Sequence, residues 1–403
     1  MKMLRLMALA AAAALLSAAA YAAPPAAKPA VTWDLAALSK PPQTYPAPGF
    51  EAKGVKALFY DGLPYKGKPT RVFAWVGLPE KIAPGQKVPG MVLVHGGGGT
   101  AFDDWVRMWT ARGYAAISMD TCGCTSGGTH SKRPRHDLGG PAGWGGYDKV
   151  NEPIEDQWMY HAVADVILAN SLLRSMPEVD ADRIGLTGIS WGGVLTCTVS
   201  GLDPRFKFAA PVYGCGFLGD TPNRLLRQPA GDPIRERWLA LWDPSNYLAG
   251  SRVPMLWVTG TNDFAFPMPS LQMSYRLAAG PRTLAVRVAM KHSQKDGAEP
   301  EEIALAADHL FRGGPAPVRV TGQGVEGGKA WVSFDPVRPP TKVELACTTD
   351  SGDWQKRPWT TAPADIDAAA GKARAALPEG ATVWYFNLID AAGRVISSEH
   401  GTK

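Results

Sequence analysis

Six apolar runs recur along this chain, each followed by glycines or a single polar residue and most separated by a helical pattern. They are GMVLVHGGGG, YAAISMD, RIGLTGIS, FKFAAPVYG, VPMLWVTG and LAVRVAM. A strand that is apolar on both faces belongs in a parallel sheet covered on both sides. Between the runs, FDDWVRMWTARG, PIEDQWMYHAVADVILANSLLRSM and EPEEIALAADHLFRG show helical spacing. Strand alternating with helix predicts an α/β domain: an open, mostly parallel sheet with helices on both faces. Ahead of it, VKALFYD and TRVFAWVGLP flank the turn-rich GLPYKGKP and read as a hairpin.

Near Gly313-Gly314-Pro315 the pattern changes to short alternating runs (PVRVTGQ, KAWVSFD, TKVELACTTD, ATVWYFNLID) spaced by turn residues. That spacing predicts a small immunoglobulin-like β-sandwich over 315–403, with DIDAAAGKARAALPEG as a short helix inside it. At the other end, Lys2 and Arg5 precede an apolar run and Ala20-Tyr21-Ala22. This is the layout of a secretory signal peptide, residues 1–22, and it implies a secreted or periplasmic protein without a stable membrane anchor. Residues 23–52 read as a leader and linker, which leaves 53–314 for the α/β domain.

The formal net charge of +5 falls to +3 once Lys2 and Arg5 are cut, and no basic block stands out, so nothing calls for nucleic acid. The five cysteines are too few for a disulfide scaffold. A bridge from Cys122 or Cys124 to Cys215 fits better than a metal on Cys122, Cys124, His130 and His136, whose spacing is poor for zinc.

Function in an open α/β sheet sits at the carboxyl ends of its strands. His95 and four glycines follow the first buried run, Ser190 the third, Asp263 the fifth and His292 the last. Ser, Asp, His in that order, with Ser190 inside Gly188-Ile189-Ser190-Trp191-Gly192, is the layout of the α/β-hydrolase fold. Ser190 is then the nucleophile and His292 its base, and Asp263 holds the imidazole tautomer, with Asn262 as a neutral substitute and Asp243 as the next candidate acid. The N–H of Trp191, with that of Gly97 or Gly98, supplies the oxyanion hole. His95 reads as a residue that orients the glycine loop, and His161 and His309 as packing or surface residues. No cofactor and no metal is implied.

HGGGGTAFDDWVRMWTARGYAAISMDTCGC, GISWGG, PVYGCGF and TGTNDFAFP together resemble secreted acetyl xylan esterases of the dienelactone hydrolase-like group, over roughly residues 55–313. The resemblance implies a secreted serine carboxylesterase that removes small acyl groups, acetyl foremost, from plant polysaccharide through an acyl-enzyme on Ser190. Dienelactone hydrolases carry a cysteine where this chain has Ser190, so their lactones are not implied. The chain also resembles the catalytic domain of prolyl oligopeptidase-like serine peptidases, which makes a peptidase the alternative. A wall-binding protein with a relic hydrolase core is the third reading. Aromatic residues suit the apolar face of a sugar, so Trp144, Trp242 and Phe264 are candidates for substrate binding, with Trp144 stacking on a glycosyl ring. The sandwich tryptophans Trp331, Trp354, Trp359 and Trp384 read first as core and second as a carbohydrate contact.

Overall fold

The computed structural model of the chain describes residues 31–130, 132–221 and 229–402; the segment expected as a signal peptide, residues 1–22, lies outside them. The apolar runs form the centre of one nine-stranded sheet. Its strands are β1 (Thr44–Ala52), β2 (Val55–Asp61), β3 (Arg71–Gly77), β4 (Val88–Val94), β5 (Ala115–Met119), β6 (Val179–Ile189), β7 (Phe208–Val212), β8 (Met255–Gly260) and β9 (Arg282–Arg287). They lie in the order β1-β2-β3-β5-β4-β6-β7-β8-β9. The first three and the β3–β5 pair are antiparallel, and everything from β5 to β9 is parallel. β4, β5, β7 and β8 are buried at every position, as two covered faces require.

The helices are α1 (Leu35–Leu38), α2 (Asp103–Ala111), α3 (Trp158–Arg174), α4 (Trp191–Ser200), α5 (Pro233–Trp242), α6 (Ser245–Leu248), α7 (Met268–Leu277), α8 (Gln294–Ala298) and α9 (Glu301–Arg312). α2 and α9 stand together, joined by Arg112–Glu301 and by the Tyr114 hydroxyl donating to Asp308 at 2.8 Å. α3 packs on α4, and α6 on both α4 and α7. α3 is buried on nearly every side, so it lacks the polar face that a surface helix shows. Among the described residues no helix is long and apolar enough to cross a membrane.

The leader expected over 23–52 is corrected from residue 31 onward. Trp33 is buried, stacks on Tyr160 with ring centroids 5.3 Å apart, and donates its indole N–H to Tyr160 O at 2.9 Å. Residues 44–52 form β1, an edge strand whose outer side has no ladder partner and so tolerates Pro46 and Pro48. Prolines that read as linker composition therefore mark a sheet edge.

After α9 the chain stops on Gly313 at φ 68°, a left-handed helix cap that favours glycine. A β-sandwich follows. One sheet is β10 (Val320–Glu326), β11 (Lys329–Phe334), β15 (Lys372–Ala376) and β14 (Asp365–Asp367). The other is β13 (Thr360–Pro363), β12 (Lys342–Thr348), β16 (Val383–Ile389) and β17 (Val395–Ser397), with β18 (Gly401–Thr402) on β16. The short helix expected within 365–380 is instead the β14–β15 hairpin: Ala373 and Ala375 alternate inward while Lys372, Arg374 and Ala376 face out. That alternation of period two decides the outcome over alanine's helix propensity.

Candidate active site

β6 runs into α4 through Ser190, whose φ of 58° and ψ of −116° lie outside the favoured regions for a side-chain-bearing residue. The neighbouring glycines make the bend possible. A Cβ on Gly188 would collide with the carbonyl of Gly192, and one on Gly192 with the carbonyl of Val94 in β4. The serine N–H donates to Val212 O at 2.9 Å and its carbonyl accepts from Val194 N at 3.0 Å, so the elbow is pinned from both sides.

The glycine loop after β4 is a turn closed by Gly99 N donating to Gly96 O at 3.0 Å, with Gly98 at φ 71° in its third position. A turn of this kind needs a positive φ there, which glycine supplies without strain. A Cβ on Gly96 would stand 3.1 Å from the Ser190 Cβ, so the loop lies directly on that serine. The N–H groups of Gly97, Gly98 and Trp191 have no hydrogen-bond partner among the described residues. His95 sets this loop. Thr121 N donates to its Nε2 at 3.0 Å, so the ring proton sits on Nδ1 and is donated to Gly96 O at 2.7 Å. Burial pushes the imidazole's pKa down and keeps it neutral in that tautomer.

Asp263 and His292 come together from the ends of β8 and β9. Asp263 Oδ2 accepts from His292 Nδ1 at 2.7 Å. Its Oδ1 accepts from the backbone of Ala265 at 2.9 Å and Phe266 at 2.8 Å, so a buried carboxylate is fully engaged. With its proton committed to Asp263, the imidazole keeps Nε2 free as a base. Tyr213, next in the chain after the Val212 carbonyl that holds Ser190, stacks on His292 with centroids 4.4 Å apart and donates its hydroxyl to Ser293 O at 2.8 Å. It ties the imidazole to the elbow, and although Tyr213 lies in the PVYGCGF motif, nothing in that motif marks this contact. Ser190 Oγ makes no hydrogen bond among the described residues.

The other expectations divide. Phe264, 57% exposed, lies with its ring 4.6 Å from that of His292, at the mouth of the site. Trp144 is half-buried with its ring 6.3 Å from that of Trp191 and against Gly97. Trp242 is corrected: at 1% exposure it donates its indole N–H to Gln157 at 2.8 Å and belongs to the core. Asp243, the substitute acid, accepts from the backbone of Phe217, Leu218 and Ser245 at 2.7–2.9 Å and shapes a loop. Asn262 faces the sandwich rather than His292. Trp354 and Trp359 pack between the two domains, and Trp384 in the sandwich core.

The disulfide expectation is also corrected: all five cysteines are free and buried. Cys122 follows β5 and Cys215 follows β7, three strand spacings apart, about 14 Å against the roughly 7 Å that a disulfide spans. Cys122 Sγ donates instead to Gly143 O at 2.8 Å, and burial raises the thiol pKa of Cys122, Cys197 and Cys215. Among the described residues no cluster of three or more His, Cys, Asp or Glu side chains that could hold a metal forms.

Residues 44–236 match the acetyl xylan esterase (AXE1) family. Two solved esterases superpose on the chain. The acetyl xylan esterase from Paenibacillus sp. R4 has a TM-score of 0.55 at 22% identity, covering 69% of this chain and 92% of that one. Acetyl xylan esterase 1 from Thermoanaerobacterium sp. JW/SL YS485 has a TM-score of 0.53 at 16% identity, covering 70% and 96%. These likenesses establish the α/β-hydrolase fold. The curated relatives carry peptidase names. The probable dipeptidyl-peptidase 5 of Aspergillus clavatus is 25% identical over 42% of this chain and 22% of its own length. The dipeptidyl-peptidase 5 of Porphyromonas gingivalis is 26% identical over 48% and 28%. The matched segment thus spans less than a third of either relative.

Proposed function

We propose that this acetyl xylan esterase-like α/β hydrolase is a secreted serine esterase that removes small acyl groups, acetyl foremost, from plant polysaccharide. The observation that carries the chemistry is the Asp263–His292 hydrogen bond beside a strained serine elbow. The esterase match over 44–236 supports the substrate class.

The steps follow from the groups in place. His292 Nε2 takes the Ser190 proton as Oγ attacks the ester carbonyl, and Asp263 stabilises the imidazolium that forms. Negative charge gathers on the carbonyl oxygen, where the free N–H groups of Trp191 and Gly97 can receive it. Collapse expels the alcohol, which takes its proton from His292 and leaves an acyl-Ser190. Water, activated by the same imidazole, then releases the acid.

Hydrolysis of p-nitrophenyl acetate and release of acetate from acetylated xylan are the test, with Ser190→Ala as control. No turnover above that control would overturn the assignment. The peptidase-named relatives supply the second reading. Preferential cleavage of aminoacyl- or dipeptidyl-nitroanilides over acetyl esters would reverse the order. A relic core has no need of an intact buried carboxylate–imidazole pair, which counts against the non-catalytic reading.

A further inference from the structure

The residues on either side of the catalytic acid are hydrogen-bonded across the domain boundary. Asn262 Nδ2 lies 2.8 Å from Arg357 O, 3.2 Å from Gln355 O and 3.4 Å from Trp354 O, three carbonyls of one turn in the sandwich. From that turn Gln355 Nε2 donates to Phe264 O at 2.8 Å. Asp263 is therefore bracketed, one residue before and one after, by hydrogen bonds to a single loop about 90 residues away in sequence.

The network continues to the base. Asn262 Oδ1 accepts from Thr261 Oγ1 at 2.7 Å, and that hydroxyl accepts from Ala289 N at 3.0 Å. Ala289 sits at φ 52°, a strained value for alanine, at the start of the loop that presents His292. A Cβ on Gly260 would approach Met290 O to 2.6 Å, so the acid and base loops lie close. Beneath them the two domains share a core of Met268, Val286, Ala346 and Tyr385. Val286 N donates to Ser397 Oγ at 2.8 Å and Val395 N to Glu302 at 2.6 Å, which fixes the sandwich against β9 and α9.

From this geometry we propose that the C-terminal sandwich is a built-in part of the active site. Its loop over residues 353–359 holds the Asp263 carboxylate against His292 through the positioning residues Asn262 and Gln355. The proposal rests on the serine-hydrolase reading above. Displacing a reacting group by about 1 Å costs on the order of 100-fold in rate, and the Asn262 amide is what keeps the acid loop from swinging toward solvent.

The test uses the full chain with Asn262→Ala, Asn262→Asp and Gln355→Ala. Gln355 is exposed, so its loss leaves the fold intact. Asn262→Asp keeps the shape and removes the donor. Active sites are counted with a fluorophosphonate, and kcat and KM are measured on p-nitrophenyl acetate. Both Asn262 variants lose roughly 10- to 100-fold in kcat per titrated site while KM stays within about twofold. Gln355→Ala loses less. The second readout is the low-field proton resonance of the His292 Nδ1–H bonded to Asp263, identified by its absence from His292→Ala. It shifts or broadens in the Asn262 variants. Wild-type kcat per site in all three variants, or an unchanged resonance in Asn262→Asp, would overturn the proposal. The resonance needs no substrate, so it still decides the matter if the wild-type protein hydrolyses no ester.

Discussion

Ser190 holds its conformation because its neighbours have no side chains. A methyl on Gly192 has nowhere to go, since the obstructing Val94 carbonyl is backbone of a central strand. Gly192→Ala should destabilise the protein by about 1–3 kcal/mol in chemical denaturation and reduce fluorophosphonate labelling of Ser190. If labelling stayed at the wild-type level, the elbow would be more pliant than its geometry indicates. The triad partners should be strongly non-additive. Ser190→Ala and His292→Ala each remove roughly 10⁴-fold or more of kcat, and the double variant loses little beyond either. Multiplying losses would mean that the two residues act in separate steps. These residues were legible in the sequence because each stands at the end of an apolar strand, where chain order alone fixes its place. Tyr213 and Asn262 were not. Their partners lie 80 and 95 residues away, and no local pattern announces a contact made across a sheet or between domains.

At the scale of elements, the loop over 121–150 shows how far composition can carry a prediction. Trp144 within it and Trp242 beyond it read alike as aromatic substrate contacts, yet Trp242 is on a helix that packs inward and Trp144 is on a loop beside the serine elbow. Burial on α5 depends on which face meets the core, and a helix of only ten residues leaves that phase ambiguous. The loop itself is held by Arg135, whose guanidinium donates to Gly140 O at 2.6 Å and to Cys122 O, and by Trp158 donating to Thr121 O at 2.7 Å. With its base anchored, the half-buried Trp144 can be cut back without releasing the loop. Trp144→Ala should lower activity on acetylated xylan several-fold and leave p-nitrophenyl acetate turnover nearly unchanged, as loss of a stacking surface worth about 1 kcal/mol requires. Equal loss on both substrates would make Trp144 a packing residue of the Gly97 turn.

For the whole molecule, the joint between hydrolase and sandwich makes stability a function of pH. His400, in the sandwich, is buried beside Trp354 with ring centroids 6.0 Å apart, next to the loop that holds Asn262. Burial, aided by the Arg276 charge and opposed by Glu399, lowers its pKa to about 4. The unfolded chain takes up that proton near pH 6.5, so between about 6.5 and 4 it binds one more proton at this residue than the folded chain does. Stability from the neutral imidazole is complete above pH 6.5 and is lost as the pH falls through that window, about 2 kcal/mol by pH 5. His95, His136 and His161 are shifted the same way by burial and add to the acid sensitivity, so a variant is needed to isolate one share. His400→Leu keeps the packing against Trp354 without titrating. Comparing the two proteins by denaturant unfolding at pH 7 and pH 5, the wild type should lose about 2 kcal/mol more than the variant. Identical losses would mean that the His400 site opens to water without unfolding. In the folded protein His400 stays neutral down to about pH 4, so acidification to pH 5 lowers the stability of the joint without placing a charge in it. Wild-type kcat per titrated site should therefore run parallel to that of His400→Leu between pH 6.5 and 5, and a steeper fall in the wild type would mean that His400 takes up its proton in the folded protein.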